Sequence, residues 1–396
     1  MSPHTRPIRL PDGRLPVITS VLGVGAWLKN VACLVLGGQV HWSPLHGDLG
    51  DPGACVALRH SVLGLVDRAR AAGAPVQAIA HDLHPDFFSS RLAIELASAL
   101  GVPAIGVQHH HAHVAAVVAG HALEEPVIGL ALDGVGMGPD GGAWGGELLW
   151  LDGAHWHRAG HLRELALPGG DRAAREPWRM AASVLHALGR CADIQQRFGP
   201  AVGDARASGV QQMLARNLHC PPTSSTGRWF DAAAGALGLR LFQTGEAEAA
   251  MALEAAAARG IAQHPGVTPL RGVCIDRLNR LDLLGLMPEL LDTPTDNRDA
   301  AAAGFHLALA DALATWAAQA AHARHCEAVC LGGGCFVNEI LRERVASRLE
   351  SAGFRVYRAT EPGCGDAGLA RGQAWVAAQQ LTERHGLATK ETAPCA

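Results

Sequence analysis

No stretch of this 396-residue chain approaches eighteen uninterrupted apolar residues, so no membrane-spanning helix is expected. The start M-S-P-H-T-R-P-I-R-L-P-D has no apolar core, so no secretory signal of the usual kind is expected. A cytoplasmic location is expected. The ten cysteines run from Cys33 to Cys395 without a C-x-x-C pair or an evenly spaced framework, which favours reduced thiols over a disulfide scaffold. No cysteine has the electropositive, base-adjacent setting of a nucleophile. Lysine is almost missing: only Lys29 and Lys390 occur. With a net charge of −4, the chain lacks the clustered basic footprint of a nucleic-acid binder. What remains is a globular composition, 48% hydrophobic and 18% charged, in a chain long enough for two lobes with substantial cores.

Short β-type runs at 16–22, 31–36 and 39–43 alternate with glycine turns and lead into a helix over 54–72. Strand 75–80, helix 91–100 and strand 102–107 follow, then a histidine-bearing helix. From Val127 the pattern restarts, with strand 127–132, a glycine loop over 133–142, and strands 144–151 and 155–160. The halves predict a duplicated β-meander-plus-αβ unit. Helices dominate 171–258, and 259–298 is irregular. An Ala-rich helix over 299–321, strand 328–331, helix 338–349, strand 356–359 and helix 366–381 complete the pattern. The expected organisation is a tail at 1–15, a first lobe at 16–125, a second lobe at 126–382 and a tail at 383–396.

The densest chemistry is V-Q-H-H-H-A-H at 107–113, a strand-to-helix junction. On a helix turning about 100° per residue, His109 and His113 share a face while His110 and His111 point elsewhere. H-x-x-x-H at this spacing presents two imidazoles to one metal ion; a solvated polar helix start is the alternative. Three glycine-rich loops each follow an apolar strand. In L-D-G-V-G-M-G-P-D-G-G (132–142), small residues let backbone N–H groups approach an anion, and Asp133 can order a water or a metal. L-G-G-G-C-F-V-N-E-I-L (331–341) suits a purine packed on backbone, with the Asn338 amide fixing ribose or phosphate. E-P-G-C-G-D-A-G-L-A-R-G-Q (361–373) puts Asp366 at a predicted helix N-cap, where capping alone is the alternative. His84, held extended by Pro85, either aims its ring into the site or caps the helix near Ser89. Lys29 stands inside a glycine-containing loop rather than on a polar face.

Read together, V-Q-H-H-H-A-H, A-H-D-L-H-P-D-F-F-S-S (80–90), G-A-W-L-K-N (25–30), L-D-G-V-G-M-G-P-D-G-G-A-W-G-G-E-L-L (132–149), S-S-T-G-R-W-F-D-A (224–232) and L-G-G-G-C-F-V-N resemble one family. It is the carbamoyltransferase module of the HypF hydrogenase maturation factors, itself similar to the TsaD family of tRNA threonylcarbamoyl transferases. The resemblance covers about residues 16 to 382. It implies an α/β, two-lobed, duplicated fold of the actin/Hsp70/sugar-kinase (ribonuclease H-like) type, with a mixed five-stranded sheet in each lobe and a nucleotide between them.

Carried over by position, the resemblance makes His109, His113 and Asp366 ligands of a divalent metal, zinc or iron. Gly332, Gly333, Gly334 and Asn338 would hold the nucleotide, ATP or carbamoyl-adenylate with magnesium, and Asp133, Gly134 and Gly136 would lie near its phosphate. Ribose-contacting acids fall on Asp231 and Glu246. This chain has T-G-E-A-E-A-A where the family has Tyr-Glu-Gly, so Glu248 is an alternative to Glu246. A surface charge on an Ala-rich helix is the alternative for Asp231. Lys29, His84 and His110 are the candidates for contacting phosphate or the carbamoyl group.

The implied reaction uses carbamoyl phosphate and ATP, and passes the carbamoyl group from carbamoyl-adenylate to the C-terminal cysteine of a HypE-like protein, for cyanide ligands of NiFe hydrogenase. Full-length HypF proteins carry acylphosphatase-like, zinc-finger and YrdC-like parts that do not fit before residue 16. The chain is therefore expected to correspond to a short, C-terminal-only form, either a naturally truncated homologue or an isolated domain, with a YrdC-type protein as a candidate partner. A small-molecule O-carbamoyltransferase and a non-catalytic ATP-binding partner of a full-length HypF are the rival readings. A tRNA substrate is disfavoured by the acidic balance and the H-H-H-A-H form of the motif.

Overall fold

The structure is a computed structural model that describes residues 20–391. The expected tail at 1–15 and the start of the first expected strand lie outside the described residues. In the first half, β1 (Ser20–Gly23), β2 (Cys33–Leu36), β3 (Gln39–Trp42), β4 (Ala78–Asp82) and β5 (Ala104–Val107) form one sheet in the order β3-β2-β1-β4-β5. The β1, β2 and β3 pairings are antiparallel, and β4 and β5 add parallel strands. Gly37 and Gly38 make the β2–β3 turn, both with positive φ (56° and 80°), as a tight two-residue hairpin demands. Helix α1 (Pro52–Ala71) returns the chain from β3 to β4, α2 (Phe88–Leu100) from β4 to β5, and α3 (His109–His121) follows β5.

The second half repeats this plan. Strands β6 (Val127–Met137), β7 (Ala143–Asp152) and β8 (His155–Leu162) form the meander, followed by a short β9 (Leu165–Ala166). A helical segment takes the place of α1. It comprises α4 (Asp171–Arg175), α5 (Pro177–Ala187), α6 (Asp193–Val202), α7 (Asp204–Ala215), β10 (Pro222–Thr223), α8 (Thr226–Ala236), α9 (Glu248–Gln263), β11 (Cys274–Ile275), β12 (Arg280–Asp282), α10 (Met287–Asp292) and α11 (Arg298–Ala323). Then come β13 (Ala328–Gly332), α12 (Glu339–Ser351), β14 (Arg355–Arg358) and α13 (Leu369–Glu391). The central order β8-β7-β6-β13-β14 has the same sense of pairing at every step as the first sheet, so the fold is the duplicated two-lobed type.

Three expectations are corrected. The second sheet has nine strands rather than five, because short pieces of the helical segment pair back onto it: β12 on β8, β11 on β12, and β10 on β7 and β9. The D-G-V-G segment is not a free loop. β6 continues through it to Met137 against β7, with a bulge between Leu132 and Gly136. The last helix runs on to Glu391, through residues expected to form the tail.

Each lobe's terminal helix lies on the other lobe's sheet. A Cβ on Gly23 of β1 would fall 2.1 Å from the Ala370 carbonyl of α13, and one on Gly332 of β13 would fall 2.9 Å from the His113 carbonyl of α3. The two helices touch each other so closely that a Cβ at Gly372 would meet the Ala112 carbonyl. One apolar cluster consequently joins Val21, Cys33 and Ile105 to Ala131, Cys330 and Val376. The stretch Thr295–Ala323 is long and apolar enough by length and composition to cross a membrane, but 72% of its most apolar part is buried in this fold, where it packs on α9 and α12. This crossing of helices sets the N-terminal end of α3 over the C-terminal ends of β6 and β13.

Candidate metal and nucleotide site

Gln108 caps α3: its backbone is extended and its side-chain oxygen accepts from the His111 N–H at 2.8 Å. The helix therefore begins at His109 and places His109 and His113 one turn apart, with ring centroids 4.8 Å from each other and both residues buried. Across from them, Asp133 stands in the β6 bulge, a distortion that redirects a side chain out of the regular alternation. Its Oδ2 is 3.1 Å from His109 Nε2 and 3.2 Å from His113 Nε2, while Oδ1 accepts from the Gly334 N–H at 3.2 Å. Asp366 Oδ1 is 3.7 Å and 3.6 Å from the same two nitrogens. Asp366 opens a 3-10 turn leading into α13 and turns its carboxylate toward the two imidazoles.

His109, His113, Asp133 and Asp366 each offer one ligand atom, all within 4.8 Å of one another. Two neutral imidazoles and two carboxylates could hold one divalent metal ion and balance its charge. Burial by itself disfavours a charged His109, but Asp82, Asp133 and Asp366 more than offset it and hold its pKa well above the ordinary value. His113 is raised in the same way by Asp133 and Asp366. Burial opposes ionisation of Asp133 and Asp366 as well, and the two imidazoles overcome it and hold both carboxyls down. His110 and His111 behave oppositely. Burial, reinforced by His109, pushes His110 well below the usual range, and burial takes His111 to about 3.

Asp82, at the end of β4, adjoins this cluster although it was not among the candidates that the sequence singled out. Its Oδ2 is 2.7 Å from His109 Nδ1, and its Oδ1 accepts from the His84 N–H at 2.9 Å. The signal was present in A-H-D-L-H-P, although nothing local aims that carboxylate at an imidazole on another element. Ser225 supports the bulge: it caps α8 through the Arg228 N–H and hydrogen-bonds the Asp133 and Gly134 carbonyls. Behind it, buried Glu147 accepts from the Gly145 and Gly146 N–H groups, the Ser224 hydroxyl and Arg158.

The other expected residues are distributed as follows. Gly332 and Gly333 are demanded by the fold itself: Gly333 has φ +98°, and a Cβ there would sit 2.3 Å from the Leu132 carbonyl. A Cβ on Gly334 would meet Asp133 Oδ1, and one on Gly136 would strike the His109 ring, whereas Gly134 has open space around it. The Asn338 amide is engaged inside the protein, capping α12 at the Leu341 N–H and donating to His306 Nε2 at 3.0 Å. Asp231 is buried rather than a surface charge, 2.6 Å from Arg228 and 3.4 Å from Gln243, and burial raises its pKa. Glu246 reaches across to Lys29, Oε1 to Nζ 2.9 Å, with both side chains about half exposed. Glu248 pairs with Arg240 and accepts from Gly245 N–H. His84 stacks on Phe87 with 4.3 Å between centroids, accepts from the Asp86 N–H, and caps no helix through its side chain.

One cysteine departs from expectation. Cys191 Sγ is 3.0 Å from His186 Nδ1, a juxtaposition made by the turn after α5. A cleft of about 1030 Å³ lined by His264, Arg271, Glu289 and Asn297 belongs to the helical segment and holds none of the four clustered groups.

Residues 17–120 match the family described as the HypF Kae1-like domain, and residues 129–373 match the second subdomain of the carbamoyltransferase Kae1-like domain. A carbamoyltransferase HypF homolog of Cupriavidus necator is 53% identical over 383 residues, covering 95% of this chain and 96% of that protein. Carbamoyltransferase HypF2 of the same organism is 46% identical over 96% of this chain, but only 50% of its own length is covered. The crystal structure of a full-length HypF in a phosphate- and nucleotide-bound form superposes with a TM-score of 0.82 at 29% identity, over 95% of this chain and 48% of that one. The chain thus spans nearly all of one relative and about half of the others. These matches, with the duplicated fold and the His/Asp cluster, establish that the chain belongs to the HypF carbamoyltransferase family.

Proposed function

We propose that this chain transfers a carbamoyl group from carbamoyl-adenylate to the C-terminal cysteine thiolate of a HypE-like acceptor in NiFe hydrogenase maturation. The observation that carries the reading is the convergence of His109, His113, Asp133 and Asp366, from two different lobes, on a space less than 5 Å across. A divalent metal held there would act as a Lewis acid on a carbonyl or phosphoryl oxygen. The chain's own residues bind and orient. Gly134, unobstructed in the β6 bulge, leaves backbone open to a phosphate, and the Gly332–Gly334 segment forms the neighbouring wall. Lys29 offers its ammonium to the phosphate and Glu246 offers a carboxylate to ribose, so nucleotide entry exchanges their mutual ion pair for contacts with the ligand. Asp231 serves the same nucleotide, and His84 and His110 lie on the flanks of the cluster. In the transfer itself, the thiolate forms a C–S bond with the carbamoyl carbon, and the C–O bond to phosphate breaks with its electron pair leaving on AMP.

The test is a mass measurement on the acceptor. Incubation with supplied carbamoyl-adenylate should add one carbamoyl group to the HypE-like protein. Carbamoyl phosphate and ATP, with magnesium, should act efficiently only when a YrdC-type protein is added. No mass change from the adenylate would reject transfer to this thiol. Efficient reaction from carbamoyl phosphate and ATP unaided would place adenylation in this chain as well.

A further inference from the structure

Gln108 does more than cap a helix. Its amide is oriented by its neighbours on both sides: Oε1 accepts from the His111 N–H at 2.8 Å, and Nε2 donates to the Met137 carbonyl at 3.1 Å. Flipping the amide would set two donors and two acceptors against each other. In this orientation Nε2 also lies 3.0 Å from His110 Nδ1. The amide nitrogen has only hydrogens to offer, so Nδ1 is the bare nitrogen and the proton of the neutral ring is on Nε2. That Nε2–H is fully buried and meets no hydrogen-bond partner among the described residues. A proton on Nδ1 would set two donors against each other across this contact, on a ring whose centroid is 5.3 Å from that of His109. Buried donors in folded proteins are paired almost without exception, so an orphan beside a cluster of metal-ligand side chains points to a partner that arrives with the ligand.

We propose that Gln108 is a positioning residue that locks His110 as its Nε2–H tautomer, and that this N–H hydrogen-bonds a phosphoryl or carbonyl oxygen of the substrate. An N–H with no lone pair beside it accepts nothing, so the contact selects oxygen acceptors and rejects hydroxyl or amine donors that lack a lone pair facing it. The choice of substrate rests on the carbamoyl-transfer reading; the tautomer does not.

The experiment uses the whole chain loaded with zinc and labelled with 15N-histidine, with His110→Gln assigning the resonance. Long-range NMR correlations should report a bare Nδ1 and a protonated Nε2 on His110. A protonated Nδ1, alone or in an imidazolium, overturns the proposal. Titration with ATP, inorganic phosphate and carbamoyl phosphate should move the Nε2–H signal. A response to ATP or phosphate assigns a phosphoryl oxygen, one to carbamoyl phosphate alone assigns the carbonyl, and none to any of the three overturns the contact. Gln108→Glu keeps the capping oxygen and replaces the donor by an acceptor, so it should draw the proton to Nδ1. It should then lower kcat/KM for transfer about tenfold or more with unchanged metal content. A shifted proton with unchanged kcat/KM overturns the contact, and failure to detect transfer in the parent chain leaves the NMR outcomes decisive.

Discussion

The Asp82 carboxylate is 2.7 Å from His109 Nδ1, and both side chains are buried. A carboxylate on the far nitrogen fixes the tautomer of a metal-ligating imidazole and strengthens it as a donor. Asp82→Asn should weaken metal binding by about 10- to 100-fold while the fold is retained. Competition against a chelator of known affinity measures this, and an unchanged constant would mean that packing alone orients His109.

Loss of both imidazoles should abolish the site. The His109→Ala, His113→Ala double variant is expected to contain no stoichiometric metal by elemental analysis, with its circular dichroism little altered. Asp133→Asn should also bind metal poorly, because Asp133 is nearer to both imidazoles than Asp366 is. Full occupancy in the double variant would move the site elsewhere.

The cluster also predicts two pH dependences. In the metal-free protein His109 and His113 are raised above their ordinary 6.5, so their charged forms stabilise the fold below that value and the contribution fades as pH climbs through the raised values. Asp133 and Asp366 are held below 3.8, so their contribution is present above it and fades as pH falls through the lowered values. Metal-free stability from this cluster should therefore peak between roughly pH 4 and 6.5. A metal must displace protons from the two Nε2 atoms, so its apparent affinity should rise with pH, up to about 100-fold per unit if two protons leave. Calorimetry at pH 6, 7 and 8 in buffers of different ionisation enthalpy counts those protons. A pH-independent affinity would contradict the raised imidazole values.

Glycine substitutions separate fold from ligand. Gly333→Ala places a methyl group against the Leu132 carbonyl at a φ of +98°, and should destabilise the protein by about 2 kcal/mol or more. Gly134→Ala meets nothing within 4 Å and should change stability by less than about 0.5 kcal/mol while lowering ATP affinity in calorimetry. Thermal unfolding of the two variants checks the first pair of outcomes. Normal ATP binding by Gly134→Ala would remove the bulge from the nucleotide site.

What the sequence made legible followed from local pattern. H-x-x-x-H specified two imidazoles on one helical face, and the repeated meander specified the duplication. The remainder depended on contacts between distant segments. Asp82 and His109 are 27 residues apart and meet only because β4 and β5 are neighbours in the sheet. Asn338 is absorbed by His306, a partner on a helix 32 residues earlier. Strands of two or three residues, such as β9 to β12, are too short for any periodicity to register. The β6 bulge read as a loop because its glycines carry the same signal in either setting.

The crossing of α3 and α13 has a consequence for how the polypeptide can be divided. A chain cut between His121 and Val127 would leave the first sheet without the helix that α13 supplies, and the second without the one that α3 supplies. Neither half can complete its interior alone, yet each carries the piece the other needs. Such halves should behave as mutually dependent fragments, insoluble or unfolded when expressed singly and restored by co-expression, with metal binding as the sign of reassembly, since His109 and His113 come from one half and Asp133 and Asp366 from the other.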